Sequence, residues 1–283
     1  MKITPQIKSL IKIALDEDCA GGDLTTLGLD ITGLELRAVI IARQKGVLSG
    51  LDIFKEVFNV VGDVRFQTNF KDGDCFDNDL EIITIESNSE VLLSAERVAL
   101  NFLSHLSGIS TFTKKFVDVI GHNKIKIYDT RKTTPLMREL EKYAVRMGGG
   151  YNHRSDLAQA LMVKDNHINM FKKKYQGEDY ILKMVKMLKE KYPQKELILE
   201  IHDLSEWIQA MGSDPDVVMF DNWSIEDIEA ALKMLEKKKF QIEISGNVKL
   251  EQIERIIDLG IDRVSSGRIT HSAPACDFSL EII

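Results

Sequence analysis

The chain has few cysteines, few prolines and no excess of positive charge. Its three cysteines, Cys19, Cys75 and Cys276, are far apart, and no two form a CxxC pair. An odd, scattered set supports neither a disulfide framework nor a zinc site, so reduced thiols in a cytoplasmic protein are expected. Five prolines and 18 glycines in 283 residues are too few for a disordered or collagen-like chain. Lys plus Arg number 37 against 44 Asp plus Glu, a net charge of −7. That balance argues against a nucleic-acid partner held by bulk charge. No apolar run approaches the roughly 18 residues that span a bilayer, and Met1-Lys2-Ile3-Thr4-Pro5 lacks the apolar core of a signal peptide. Neither a membrane nor a nucleic acid is expected as partner. Any anion this acidic chain recognises must meet a local cluster of cations.

What is present is ordinary globular composition, 44% hydrophobic and 29% charged, long enough for one large barrel or two domains. Thr4-Pro5 reads as a helix start, followed by Ile7, Leu10, Ile11, Ala14 and Leu15 at helical spacing. From Leu36 to about Glu86 the texture is short β-rich pieces, among them Leu36 to Ala42, Val64 to Phe66 and Leu80 to Ile85. Glu90 to Ile120 predicts a helix interrupted or bent near Ser107-Gly108. The second half has another rhythm. Lys124 to Tyr128, Ala160 to Val163, Leu197 to Ile201, Val217 to Phe220, Phe240 to Ile244 and Ile261 to Val264 are short apolar runs without polar alternation. Such runs suit strands buried on both faces of a parallel sheet. Helices with clear boundaries lie between them. One opens at Ser224, with Asp227 placed to close a capping box, and another carries Leu250, Ile253, Ile256 and Ile257 and stops at Gly260. Parallel neighbours need crossovers, so the expected architecture is an α/β barrel.

In such barrels chemistry gathers at the C-terminal ends of the strands. Those positions hold Asp129, Arg131 and Lys132, then Lys164, then Glu200 and His202, Asp221 and Asn222, Ser245 and Gly246, and finally Ser266 and Gly267. Cations at one rim of an acidic protein suggest a polyanionic substrate. Glu200 and Asp221 could hold Mg²⁺, which takes oxygen ligands and bridges to phosphate. Ser245-Gly246-Asn247 and Ser266-Gly267 could present backbone N–H groups to a phosphate. Each element alone has a duller reading as a rim charge, a cap or a turn. His153 and His271 have no partner at zinc-ligand spacing. Gly148-Gly149-Gly150 lacks Walker or GxGxxG spacing and reads as a bend.

Several longer blocks are more specific: Gly22-Asp23-Leu24-Thr25-Thr26, Ala95-Glu96-Arg97-Val98-Ala99-Leu100-Asn101-Phe102, and Leu106-Ser107-Gly108-Ile109. Then come Asp129-Thr130-Arg131-Lys132-Thr133-Thr134-Pro135, Glu141-Lys142-Tyr143-Ala144-Val145-Arg146, Asn152-His153-Arg154 and Lys164-Asp165-Asn166-His167. Asp221-Asn222, Ser245-Gly246-Asn247 and Thr270-His271-Ser272-Ala273-Pro274 complete the set. Through these blocks the chain resembles the quinolinate phosphoribosyltransferase family, the carboxylating nicotinate-nucleotide pyrophosphorylases, over nearly its whole length.

The resemblance implies an N-terminal open α/β sandwich domain over residues 1–109 and an incomplete parallel α/β barrel over 110–273. Residues 274–283 would return to the first domain. It also implies a homodimer or an assembly of dimers. The implied reaction joins quinolinate to phosphoribosyl pyrophosphate, releasing pyrophosphate and CO₂ and leaving nicotinate mononucleotide for de novo NAD biosynthesis. Arg131, His153, Arg154 and Lys164 match the quinolinate-binding positions, and Arg97 matches an arginine that enters the neighbouring subunit's site. Lys132 matches a residue beside phosphoribosyl pyrophosphate. Glu200 and Asp221 match the acidic pair near the ribose hydroxyls and Mg²⁺. Ser245, Gly246, Asn247, Ser266 and Gly267 match the 5-phosphate loops. Lys132, Lys164, Glu200 and Asp221 thereby stand at the reacting centre. His202, Arg268 and Ile244 depart from the family pattern. A related phosphoribosyltransferase encoded with molybdenum-transport genes is the alternative within the fold. A Schiff-base aldolase using Lys132 or Lys164 would need an apolar lysine pocket, which the charged sequence neighbours disfavour. Nothing supports a degenerate barrel that only binds ligand.

Overall fold

The computed structural model describes every residue except His122, Gln176 and Asn247. The chain forms two compact units, Met1–Lys114 with Thr134–Gly149 and Ser272–Ile283, and Lys115–Thr133 with Gly150–His271.

The first unit opens with α1 (Pro5–Cys19), where the Thr4 hydroxyl accepts the Ile7 N–H at 3.3 Å. Ile7, Ile11 and Leu15, spaced by four, make its buried stripe. There follow α2 (Leu24–Gly28), β1 (Glu35–Ala42), β2 (Gly46–Val47), α3 (Leu51–Val61), β3 (Arg65–Gln67), β4 (Cys75–Phe76) and β5 (Leu80–Asn88). Then comes α4 (Ser89–Ile120).

Two expectations need correction here. The β-rich reading of residues 36–86 missed α3, whose Leu51, Phe54, Val57 and Phe58 recur at helical spacing and are all buried. Its valines and phenylalanines favour strands on propensity, but burial of one apolar stripe outweighs the few tenths of a kcal/mol per residue at stake. The interruption at Ser107-Gly108 is absent, because α4 is one unbroken helix of 32 residues. Ser107 and Gly108 instead serve the helix's neighbours. The Ser107 hydroxyl accepts the Ser49 N–H at 3.0 Å and donates to the Ser49 carbonyl. A Cβ on Gly108 would lie 2.2 Å from the Pro274 carbonyl oxygen, so only glycine lets the C-terminal segment pass this close.

After β6 (Lys126–Tyr128), α5 (Arg138–Met147) returns to the first unit. Its buried Glu141 accepts the Thr134 N–H at 3.2 Å and faces the His105 ring at 2.9 Å.

The second unit continues with β7 (Leu161–Val163), α6 (Asp165–Lys174), α7 (Tyr180–Lys191), β8 (Leu197–Ile201), α8 (Leu204–Met211), β9 (Val217–Asp221), α9 (Ile225–Lys233), β10 (Gln241–Ser245), α10 (Leu250–Ile257), β11 (Arg263–Ser265) and α11 (Arg268–His271). β12 (Phe278–Ile282) closes the chain in the first unit, where antiparallel strands run in the order β12-β1-β5-β3.

The second sheet is parallel throughout, in the order β6-β11-β10-β9-β8-β7. Consecutive strands sit side by side as in a barrel, but β6 and β7 stand at opposite ends of the sheet. The barrel is therefore incomplete, as the resemblance implied. Every residue of β8 is buried, which explains the unalternating apolar run. Ser224 caps α9 by accepting the Asp227 N–H, and Gly260 beyond α10 adopts φ +70°.

The register sorts the residues that share a face, since side chains alternate along a strand. Glu200 pairs with Met219, Met219 with Glu243, and Glu243 with Arg263. Asp221 pairs with Ser245 two residues further on. Met219 packs with Ile198 and Val217 in a buried cluster. One layer thus holds Glu200, Glu243 and Arg263, and the next layer toward the C-terminal ends holds Asp221 and Ser245.

Candidate active site

Asp129, just past β6, organises the mouth of the second unit. It is fully buried, and its carboxylate accepts from Asn152 Nδ2 at 2.6 Å and from the His153 N–H at 2.7 Å. The Asp129-to-Thr133 turn and the Asn152-His153-Arg154 turn are therefore fastened together. Tyr151 adds a parallel bridge to Tyr128. Two motifs that are separate in sequence form one loop pair. The turn is also held at Lys132, whose carbonyl accepts the Thr270 hydroxyl at 2.7 Å.

The cations are set on this frame. Arg131 is half-buried and Lys132 exposed. Arg154 is buried, with Nη1 donating to the Ala160 carbonyl at 3.0 Å. Its Nε is buried and has no hydrogen-bond partner among the described residues. Burial first, and then the neighbouring Arg131 guanidinium, push the Arg154 guanidinium below its ordinary range. Two neighbouring guanidiniums, one with a buried donor unused among the described residues, suit an anion. His153 is also buried. Its Nδ1 accepts the Arg154 N–H at 3.1 Å, and its Nε2 faces Glu243 Oε1 at 3.3 Å.

Lys164 ends β7. Its N–H donates to His167 Nδ1 at 3.1 Å, which fixes the turn into α6. Its Nζ donates to Glu200 Oε2 at 2.6 Å, while the His202 ring stands 3.6 Å from Oε1. Glu200 is thus a buried carboxylate between two basic side chains. Asp221 is half-buried and accepts from Asn222 Nδ2 at 2.9 Å. A cleft of about 410 Å³ lies beside it, lined by His202, Asp221, Asn222 and Trp223 among others. Among the described residues no cluster of three or more His, Cys, Asp or Glu could hold a metal ion. Glu200 and Asp221 supply two hard oxygen donors on one face. That suits an Mg²⁺ carried mainly by substrate phosphates rather than one caged by protein.

Ser245 and Gly246 follow β10, while Asn247 lies outside the described residues. Gly246 has φ +113°, and a Cβ there would meet Asn222 Oδ1 at 2.3 Å, so both conformation and space demand glycine. Gly267 packs under the Lys132 side chain. The buried hydroxyls of Ser265 and Ser266 have no hydrogen-bond partner among the described residues.

Arg97 lies in the first unit, on α4, exposed and 3.9 Å from Glu96. The sequence reading passed over Glu243, counting its strand as an apolar run. The signal was there: Gln241-Ile242-Glu243-Ile244 places one carboxylate inside a buried strand. Asp129 was noted at its strand end without its role as the fastener of two turns.

Comparison with known proteins gives a consistent picture. The model of the quinolinate phosphoribosyl transferase C-terminal domain matches residues 109–281, and that of the N-terminal domain matches residues 23–107. A probable nicotinate-nucleotide pyrophosphorylase [carboxylating] of Synechocystis is 36% identical, over 95% of this chain and 90% of that protein. One of Bacillus subtilis is 36% identical, over 98% of this chain and 93% of that protein. Among solved structures, NadC from Streptococcus pyogenes superposes with a TM-score of 0.89 at 40% identity, covering 100% of this chain and 99% of that one. No described helix is long and apolar enough to cross a membrane.

Proposed function

Since the chain belongs to the quinolinate phosphoribosyl transferase family, we propose that it joins quinolinate to phosphoribosyl pyrophosphate in NAD biosynthesis. The observation that carries this reading is the Arg131–Arg154 pair, with the buried Arg154 Nε unused. A vicinal dicarboxylate supplies two adjacent negative charges and planar acceptors, which match paired guanidiniums. Arg131, Arg154 and Lys164 take the carboxylates, and His153 stands behind Arg154. Ser245, Gly246, Asn247, Ser266 and Gly267 cradle the 5-phosphate, and Lys132 takes the pyrophosphate. Glu200 and Asp221 face the ribose hydroxyls. A divalent ion, expected to be Mg²⁺, would rest on these two carboxylates and neutralise the departing pyrophosphate.

The quinolinate ring nitrogen bonds to the ribose carbon as the bond to pyrophosphate breaks, and pyrophosphate leaves with the electron pair. Lys132 stabilises the charge that develops on it. The carbon–carboxylate bond at ring position 2 then breaks, CO₂ leaves, and the electron pair stays on the ring carbon beside the pyridinium charge. A proton replaces the carboxylate. Arg131 and Arg154 hold the ring in register through both steps.

The reading extends to a cytoplasmic homodimer, or an assembly of dimers, in which Arg97 of one copy serves the barrel of the other. Among the described residues the exposed Arg97 makes only the long contact to Glu96, a surface pair worth at most about 1 kcal/mol. The comparisons lend no support to the molybdenum-transport paralogue.

The direct test is incubation of the purified chain with quinolinate, phosphoribosyl pyrophosphate and Mg²⁺. Nicotinate mononucleotide, pyrophosphate and CO₂ should appear in equal amounts; their absence refutes the assignment. For the shared site, Arg97→Ala chains mixed with Lys132→Ala chains should regain partial activity. If heterodimers form and stay inactive, Arg97 serves its own subunit.

A further inference from the structure

Glu243 is a carboxylate that the sheet itself does not require. It lies midway along β10, fully buried, between Ile242 and Ile244, and is registered with Met219 on one side and Arg263 on the other. Among the described residues neither of its oxygens accepts a hydrogen bond. Its nearest recorded partner is the His153 ring, with Nε2 3.3 Å from Oε1. A buried carboxylate is retained at a considerable desolvation cost; Arg263 beside it is already engaged by Glu196 and Gln241, so the His153 ring is the place to look for its use.

The other side of that ring defines its protonation. The Arg154 N–H donates to His153 Nδ1 at 3.1 Å, which requires the Nδ1 lone pair to be free. The ring then carries its proton on Nε2, the nitrogen that faces Glu243. Behind the ring, the His153 N–H is anchored on Asp129 Oδ1 at 2.7 Å. Asp129 therefore holds the main chain, Glu243 holds the ring, and the ring holds the N–H of Arg154. Arg154 is the buried arginine whose Nε is unused.

We propose that Glu243 is a positioning residue for the cations that receive the substrate dicarboxylate. By standing 3.3 Å from His153 Nε2 it favours the proton on that nitrogen, keeps His153 in one tautomer and one orientation, and so sets the place of Arg154 without touching substrate. The identity of the ligand rests on the quinolinate reading; the tautomer does not.

Two substitutions separate reach from charge. Glu243→Asp keeps the charge but draws the carboxylate back by one methylene. Glu243→Gln keeps the reach and an acceptor oxygen but removes the charge. Each is made in the full chain labelled with ¹⁵N-histidine, the His153 resonances being assigned by their loss in His153→Gln. Wild type and Glu243→Gln should show the coupling pattern of a proton on Nε2. Glu243→Asp should show His153 exchanging between tautomers, with KM for quinolinate raised about tenfold while KM for phosphoribosyl pyrophosphate and kcat change by less than about threefold.

The proposal is overturned if the wild-type ring carries its proton on Nδ1 or on both nitrogens. It is equally overturned if Glu243→Asp leaves the ring and quinolinate KM unchanged, or raises KM for both substrates alike. Should wild type fail to turn over quinolinate, the substrate reading falls, and the Glu243→Asp spectrum still decides the pairing.

Discussion

Arg154 and Arg263 are the same residue type, both buried in the second unit, and they are treated in opposite ways. Arg263, at the start of β11, donates Nη2 to Glu196 Oε1 at 2.6 Å and Nε to Gln241 Oε1 at 2.5 Å, and it lies over the Tyr128 ring. Burial pulls its guanidinium down, but the Glu196 hydrogen bond and charge, with Tyr128 and Glu243, together outweigh that and hold it above its ordinary range. Arg154, near the other end of the strands, has a carbonyl where Arg263 has a carboxylate, and burial first, then the neighbouring Arg131, hold it below. Nearby at the Arg263 end, Lys189 meets Asp216 and Lys238 meets Asp262, each at 2.6 Å. Both aspartates also accept a strand N–H, from Leu197 and Ile242. One end of the sheet matches its buried arginine with a carboxylate, and the other holds Arg154 against a carbonyl and beside a second guanidinium. A cation matched by the protein contributes to stability, whereas one left facing another cation is matched by a ligand.

That contrast can be broken or sharpened by experiment. The largest effect is expected from metal removal. Exhaustive chelation should reduce turnover to background and added Mg²⁺ should restore it, with no change in melting temperature. Persistent turnover would remove the ion from the site. Next comes Arg131→Ala. Losing a charged donor to a carboxylate should weaken quinolinate binding by about 1.5–3 kcal/mol, with less effect on phosphoribosyl pyrophosphate. Equal losses for both ligands in calorimetry would contradict the role given to the mouth.

Arg263→Met should do the converse. Denaturant unfolding should show a loss of about 1–2 kcal/mol, because the Glu196 left behind is 40% exposed and returns to water. Quinolinate KM should stay at the wild-type value, and a raised KM would show the two ends to be coupled. Lys238→Ala should matter least. Its pair with Asp262 is more than one-third exposed on both sides, and such pairs contribute at most about 1 kcal/mol. A larger loss would mean that Asp262 depends on Lys238 to cap β10.

Most of the parallel strands of the second unit were legible because β8 to β11 are short, largely apolar runs buried along most of their length, and burial of that kind leaves a compositional trace. The opening helix was legible from Thr4-Pro5 and the spacing of Ile7, Ile11 and Leu15. α3 was not, since its Phe- and Val-rich stripe satisfies strand propensity as readily as helical spacing, and only packing chooses between them. Ser107-Gly108 misled for a related reason. Residues that weaken a helix in isolation are here required by Ser49 and Pro274, which lie far away in the chain.

The order of residues is enough to put these side chains at the strand ends, because strand period and crossover topology follow from local pattern. It placed Arg131, Lys164, Glu200 and Asp221 there. Only the tertiary structure decided what those side chains do to one another. Lys164 donates into Glu200, Asp129 fastens two turns, Arg154 faces Arg131, and Glu243 meets His153 inside the barrel. Each of these joins residues on different strands or loops. The interactions arise from charge and desolvation at distances of a few ångströms, which no spacing along the chain encodes.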